Sequence, residues 1–241
     1  MITRSQLVFI GIDPIDPHAV RQRPCTRAIL APDLRCVFNE WEYNESGKGM
    51  IPASVGDARF IVAVDGPQGL AGSPDRTMRA CERELGAAGK SPYNFPPSGH
   101  LFAGFVCGSV RLFHAMYKSG DFRLYGDLGV ERSHANLIEV YPGAAWQVLA
   151  GKERLPRKTL KAGREVRLEL LKEQGLTFPG VAPQVIPTHD DLDAAMAAYI
   201  AYLFVNARTT DCGEPPVEDV QHAVLREGFI VQPIARGEKW H

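Results

Sequence analysis

Three apolar runs in this chain each carry an acid where a strand is expected to end. They are Leu7-Val8-Phe9-Ile10-Gly11-Ile12-Asp13, Phe60-Ile61-Val62-Ala63-Val64-Asp65 and Leu137-Ile138-Glu139-Val140-Tyr141-Pro142. A fourth acidic group, His189-Asp190-Asp191-Leu192-Asp193-Ala194, opens an apolar helix. A carboxylate beside buried apolar residues is costly to desolvate. Several in similar contexts, spread along one chain, point to carboxylates gathered around a divalent cation. Taken singly, each has a plainer reading. Asp13 before Pro14 and Asp65 before Gly66 suit turns, Glu139 suits an arginine partner, and Asp190 and Asp191 suit a helix N-terminus. Taken together they predict a metal site of Asp13, Asp65, Glu139 and Asp193, with Asp190 one helical turn before Asp193 as a further catalytic acid. Hard oxygen ligands of this kind select Mg²⁺ or Mn²⁺. Two such ions about 4 Å apart activate water and stabilise the leaving oxygen in phosphodiester hydrolysis.

The elements that must position these acids are legible as strands and helices. Strands are expected at 6–13, 59–65 and 135–141, with a hairpin or meander from Ala28-Ile29-Leu30 and Cys36-Val37-Phe38 around Pro32-Asp33. Ser73-Pro74 reads as a helix start running to Leu85. Further helices are expected at 101–118, from Ala144 to Ala150, from Lys158 to Gln174 and from Asp190 to Ala207. In the tail, a helix from Glu218 to Leu225 and a strand-like Gly228-Phe229-Ile230-Val231 are expected. Strands first, then strands alternating with helices, predict an α/β fold with a mixed sheet flanked by helices and a helical insertion between the fourth and fifth strands. In such sheets, sites form beyond the carboxyl ends of parallel strands. Asp190 and Asp193, three residues apart, share a helix face. Ala194 and Ala197 flank it and let the helix approach the sheet closely. The reading is of a single domain over 1–241, with a core at about 6–207 and an extension at 208–241.

Composition narrows the classes. The chain has 241 residues, 45% hydrophobic and 23% charged, with a net charge of −1, so no global field advertises nucleic acid or a membrane. A local basic patch could still serve nucleic acid. The five cysteines form no C-x-x-C pair, which disfavours a zinc ribbon or a secreted disulfide framework and suggests a cytoplasmic protein. Met1-Ile2-Thr3-Arg4 leads straight into a strand without a signal-peptide layout, and no apolar run approaches membrane-spanning length. No phosphate-binding glycine loop is present. The densest basic stretch holds Lys152, Arg154, Arg157, Lys158, Lys161, Arg164 and Arg167. Of these, Lys158, Lys161 and Arg164, together with Arg79, are the expected substrate-binding residues. His189 is the best placed of the histidines as a proton shuttle, though a helix-capping or surface role suits it better, while Trp41, Trp146 and Trp240 read as core or surface fillers.

The series Gly11-Ile12-Asp13, Val64-Asp65-Gly66-Pro67-x-Gly69-Leu70, Arg79-x-Cys81-Glu82, Glu139-Val140-Tyr141-Pro142, Lys158-x-x-x-x-Gly163-Arg164 and Asp190-Asp191-Leu192-Asp193-Ala194 resembles a bacterial family of unknown function, domain-of-unknown-function family 429. The resemblance runs from about Gln6 to Ala207. It implies a ribonuclease H-like fold and nuclease activity, and the last motif is similar to the Asp-x-x-Asp-Ala of Holliday-junction resolvases. By that likeness the metals fall to Asp13, Asp65 and Asp190 or Asp193, and Glu139 is the family's own signature. One departure is Pro14-Ile15-Asp16-Pro17 after the first Asp, where related members carry small residues and an aromatic. The function so implied is a metal-dependent nuclease hydrolysing nucleic acid, DNA or RNA. The alternatives are a phosphotransferase of the sugar-kinase and actin-like group, which shares the fold, and a non-catalytic nucleic-acid or protein-binding module. No membrane partner is expected, and a homodimer is left open.

Overall fold

The structure, a computed structural model, describes residues 7–234 apart from 22, 57 and 152. The strand expected from residue 6 runs as β1 (Leu7–Asp13). It is followed by β2 (Cys25–Leu30) and β3 (Cys36–Trp41), an antiparallel meander, and then by β4 (Arg59–Asp65). Between β4 and β5 (Leu137–Val140) the chain inserts α1 (Ala80–Leu85) and α2 (Ala103–Ser119). After β5 come α3 (Pro142–Ala150), α4 (Lys161–Glu173) and α5 (His189–Val205), then the hairpin β6 (Thr209–Asp219) and β7 (Val224–Pro233).

All seven strands form one sheet in the order β3-β2-β1-β4-β5-β7-β6. β1, β4, β5 and β7 are parallel neighbours, and β2 and β6 run against them. The mixed sheet, its flanking helices and the helical insertion match the expected α/β class. The order of the first five strands, with only β2 reversed among them, is consistent with a ribonuclease H-like arrangement.

Side chains alternate across a strand, and the two faces bury different partners. Phe9, Ile61, Ala63, Ile138 and Val140 pack under α5. Val8, Ile10, Val62, Val64 and Leu137 pack with Leu112, Phe113 and Met116 of α2. α5 is buried almost all round, and its alanines explain how. A Cβ on Gly11 of β1 would collide with the Ala194 carbonyl and the Ala198 amide. The helix backbone therefore rests directly on the strand.

Two expectations in the chain fail, both for tertiary reasons. No helix starts at Ser73-Pro74. α1 begins at Ala80, whose amide is capped by the Glu227 carboxylate of β7 (2.9 Å) rather than by a local side chain. The tail holds no helix from Glu218 to Leu225. Those residues complete β6 and begin β7, which is buried between β5 and β6. A short apolar run is ambiguous by periodicity, and neighbouring strands decide it. The expected Gly228–Val231 strand lies inside β7.

Candidate metal and phosphodiester site

The register of the parallel strands decides which acids meet. Ile12 of β1 pairs with Val64 of β4, so Asp13 and Asp65 end adjacent strands side by side. Both share the alternation of Phe9 and Ile61, the face covered by α5. The N-terminal turn of α5 adds Asp190 and Asp193 from above, and all four acids line one cavity of about 500 Å³.

Their electrostatic situations differ. Asp13 and Asp65 have no hydrogen-bond or ion-pair partner among the described residues. Burial, and then the neighbouring Asp65 charge, pushes the Asp13 carboxyl well above the usual carboxylate range. Burial, and then Asp193, does the same to Asp65. Asp193 is satisfied at both oxygens: the Trp146 indole N–H donates to Oδ1 (2.7 Å) and the Lys158 ammonium to Oδ2 (2.5 Å). Asp190 sits nearer the mouth, 3.0 Å from the Arg23 guanidinium. His189 Nδ1 lies 2.7 Å from Asp190 Oδ1 but in a geometry that makes no hydrogen bond. Asp191 faces away and closes a capping box with Thr188.

Glu139 lines the same cavity and its charge reaches Asp65, but Arg79 holds both its oxygens, whereas those of Asp13 and Asp65 are left open among the described residues. It pairs with Val64, whereas Asp65 pairs with Val140, so the two-residue period of the strand turns Glu139 to the opposite face. There the Arg79 guanidinium grips it in a fork, Nη1 to Oε2 at 2.7 Å and Nη2 to Oε1 at 2.5 Å. The Gln68 amide adds a third bond (2.9 Å), fixing the turn that follows Asp65. Glu82 accepts from Arg79 Nε (2.9 Å) and from the Ser91 amide (2.9 Å). Burial alone would lower the Arg79 pKa, but Glu139 and Glu82 outweigh it and hold the side chain charged. Arg79 is 1% exposed, and it lines the cavity with its guanidinium committed to Glu139 and Glu82.

Among the other expected substrate-binding residues, Lys158 lines the cavity. Lys161 lies outside it on the first turn of α4, exposed and 3.7 Å from Glu165. Arg164 is half-buried one turn later, also outside the lining, with an unpartnered Nε. Lys152 and Trp240 fall outside the described residues. Sequence reasoning missed Trp146, Arg23 and Arg167 as site residues. Arg167 lines the cavity beneath Trp146 and bonds the carbonyls of Pro156 and Gly163 (2.9 Å each). A tryptophan just after the Glu139 strand carries no local signal of its role, because its carboxylate partner is 47 residues away.

A family model described as "Protein of unknown function (DUF429)" matches residues 40–218. The chain belongs to this family. The matched span takes in Asp65, Arg79, Glu82, Glu139, Lys158, Asp190 and Asp193, and begins after Asp13. No curated protein and no solved structure matches the chain.

The donor set fits a hard divalent cation. Among the described residues no group of three His, Cys, Asp or Glu side chains is already drawn together at ligating geometry. Asp13 and Asp65, however, are two neighbouring carboxylates with no protein donor, and Asp193 joins them if Lys158 withdraws.

Proposed function

We propose that this protein is a metal-dependent nuclease that hydrolyses phosphodiester bonds of nucleic acid. The observation that supports this reading best is the pair Asp13 and Asp65, without a partner among the described residues, at the carboxyl ends of adjacent parallel strands and roofed by a third carboxylate. Asp13, Asp65 and Asp193 would hold Mg²⁺ or Mn²⁺. The chemistry such an ion supplies is polarisation of the phosphoryl oxygen and activation of water. The chain's own groups then have separate tasks. Trp146 fixes the Asp193 carboxylate, and the fork of Arg79 and Glu139 fixes the turn behind Asp65. Phe102, Phe105 and Val106 give the cavity an apolar wall that excludes water and offers rings for a base to stack on. Lys158 in the lining, with the exposed Arg23 beside Asp190 and Lys161 and Arg164 outside, supplies cations for phosphates. A cavity of about 500 Å³ admits a short single-stranded segment or a strand end rather than the side of a duplex.

The cellular setting belongs to the same reading. All five cysteines are unpaired, as in a reducing cytoplasm. Among the described residues no helix is long and apolar enough to cross a membrane.

The test is cleavage of end-labelled single-stranded, duplex and branched DNA and of RNA, with Mg²⁺ or Mn²⁺, by the wild type and by Asp13→Asn and Asp65→Asn. Cleavage by the wild type, reduced about 10³-fold or more in either variant, is expected. Undiminished cleavage in both variants would overturn the assignment.

A further inference from the structure

Among the described residues Lys158 is the only lysine lining the cavity. Its ammonium donates to Asp193 Oδ2 and feels Asp13 and Asp65 as well. Asp13, Asp65, Asp190 and Asp193 meet there, in a lining that also holds Asp16, Glu82 and Glu139, and this flexible cation faces three of the four. Arg23 serves Asp190 instead, and the Arg79 guanidinium is committed to Glu139 and Glu82. Arg167 also lines the cavity and feels Asp193, but its guanidinium bonds the Pro156 and Gly163 carbonyls. Among the described residues Asp13 and Asp65 keep no donor, so the one ion pair that Lys158 makes leaves both open.

The backbone beneath Lys158 is fixed, but its side chain is not. Arg167 ties the loop at the Pro156 carbonyl, and Gly163 packs so tightly under the Arg157 carbonyl that a Cβ there would clash. The Lys158 side chain is 48% exposed, whereas Asp193 is 3% exposed. Rotation of the lysine stem alone therefore carries the ammonium from Asp193 into water, where it is well hydrated.

From this we infer that Lys158 is a built-in counter-ion of the acidic site, which a divalent cation displaces when it binds Asp13, Asp65 and Asp193. The exchange frees Asp193 Oδ2 for the ion and turns the ammonium toward the cavity mouth, where an anionic substrate enters. The inference rests on the metal reading above, but it makes a claim that the metal reading does not. Removing the lysine must strengthen metal binding rather than weaken it.

The measurement is calorimetric titration of the full chain with MnCl₂ alone, at fixed ionic strength, for the wild type, Lys158→Met, Lys158→Gln and Asp13→Asn. Thermal melts with and without the metal accompany it. A competing unit charge within a few ångströms is removed, so either lysine variant should bind Mn²⁺ at least about tenfold tighter. Metal-free, both should melt below the wild type, and Mn²⁺ should raise their melting temperature by more than it raises the wild type's. If the wild type binds Mn²⁺, Asp13→Asn weakens it and both lysine variants bind no tighter than the wild type, the counter-ion role is wrong and the metal site stands. If neither the wild type nor the lysine variants bind Mn²⁺ at millimolar concentration, both readings fall.

Discussion

At the scale of single residues, the acids of this chain divide by the face they occupy. Asp13 and Asp65 lie under α5 without donors among the described residues, and their carboxyls are pushed up by burial and by like charge. A raised carboxyl means the folded protein binds more protons than the unfolded chain between the ordinary and the shifted value. The resulting stability is fully present below the ordinary value and is lost as pH rises through the shifted one. Asp13→Asn or Asp65→Asn should therefore stabilise the metal-free protein at neutral pH, raising its melting temperature by about 2–4 °C for each kcal/mol recovered. The gain should vanish at about pH 3, where the wild-type carboxyls are already protonated. A scan showing these variants less stable than the wild type at neutral pH would contradict the strained-carboxylate account. Glu139 should behave in the opposite way. Glu139→Gln leaves the buried Arg79 charge without its main partner and should cost about 3–5 kcal/mol in urea unfolding. Mn²⁺ titration of whatever folds should show the affinity little changed, whereas a ligand's loss would abolish it.

At the scale of elements, the site depends on how closely α5 lies on β1. Gly11 on the strand faces Ala194, Ala197 and Ala198 on the helix, with no room for a methyl group between them. Gly11→Ala should lift the helix terminus and move Asp193 from Asp13 and Asp65. The expected result is lost stability of about 1–3 kcal/mol, as for other overpacked cores, and weakened Mn²⁺ binding in the same variant. Wild-type stability and affinity would show that the helix has slack. The close approach was legible from the helix, whose Ala194 and Ala197 flank its acids, whereas the part of Gly11 in receiving it was not. Asp13, Asp65 and Asp193 were legible as acids at the ends of strongly patterned elements. The start of α1 was not, because Glu227, 147 residues away, receives the Ala80 amide beside the local Glu82 that receives the Arg79 amide.

At the scale of the whole molecule, the terminal hairpin is part of the site's support. β7 pairs with β5, and its Glu227 accepts from the Gly72 amide (2.7 Å), the Ala80 amide and Arg76. Its Phe229 carbonyl accepts from Gln68 Nε2 (2.9 Å). Through these bonds the hairpin holds the segment that carries Arg79 and follows Asp65. Ending the chain after Asn206 should expose the β5 edge and free that segment. The outcome expected is a protein that lacks a cooperative melt and is rapidly proteolysed between β4 and α2. A truncated chain with a wild-type melt would show that β6 and β7 are dispensable.

What the sequence determined by itself is what local pattern carries. The apolar runs, their bounding acids, the long helices and the mixed α/β class all follow from periodicity within a window of residues. What only the tertiary structure decided depends on register and on partners distant in the chain. Glu139 stands in a motif as acidic as the others, yet one residue of register in a strand with a two-residue period puts it on the other face, against Arg79. Trp146 reads as a core filler and Lys158 as a cation for substrate until α5 brings Asp193 to them. Which carboxylates are left without a partner is a property of the assembled sheet, because neighbours across strands, rather than neighbours along the chain, supply or withhold the donors.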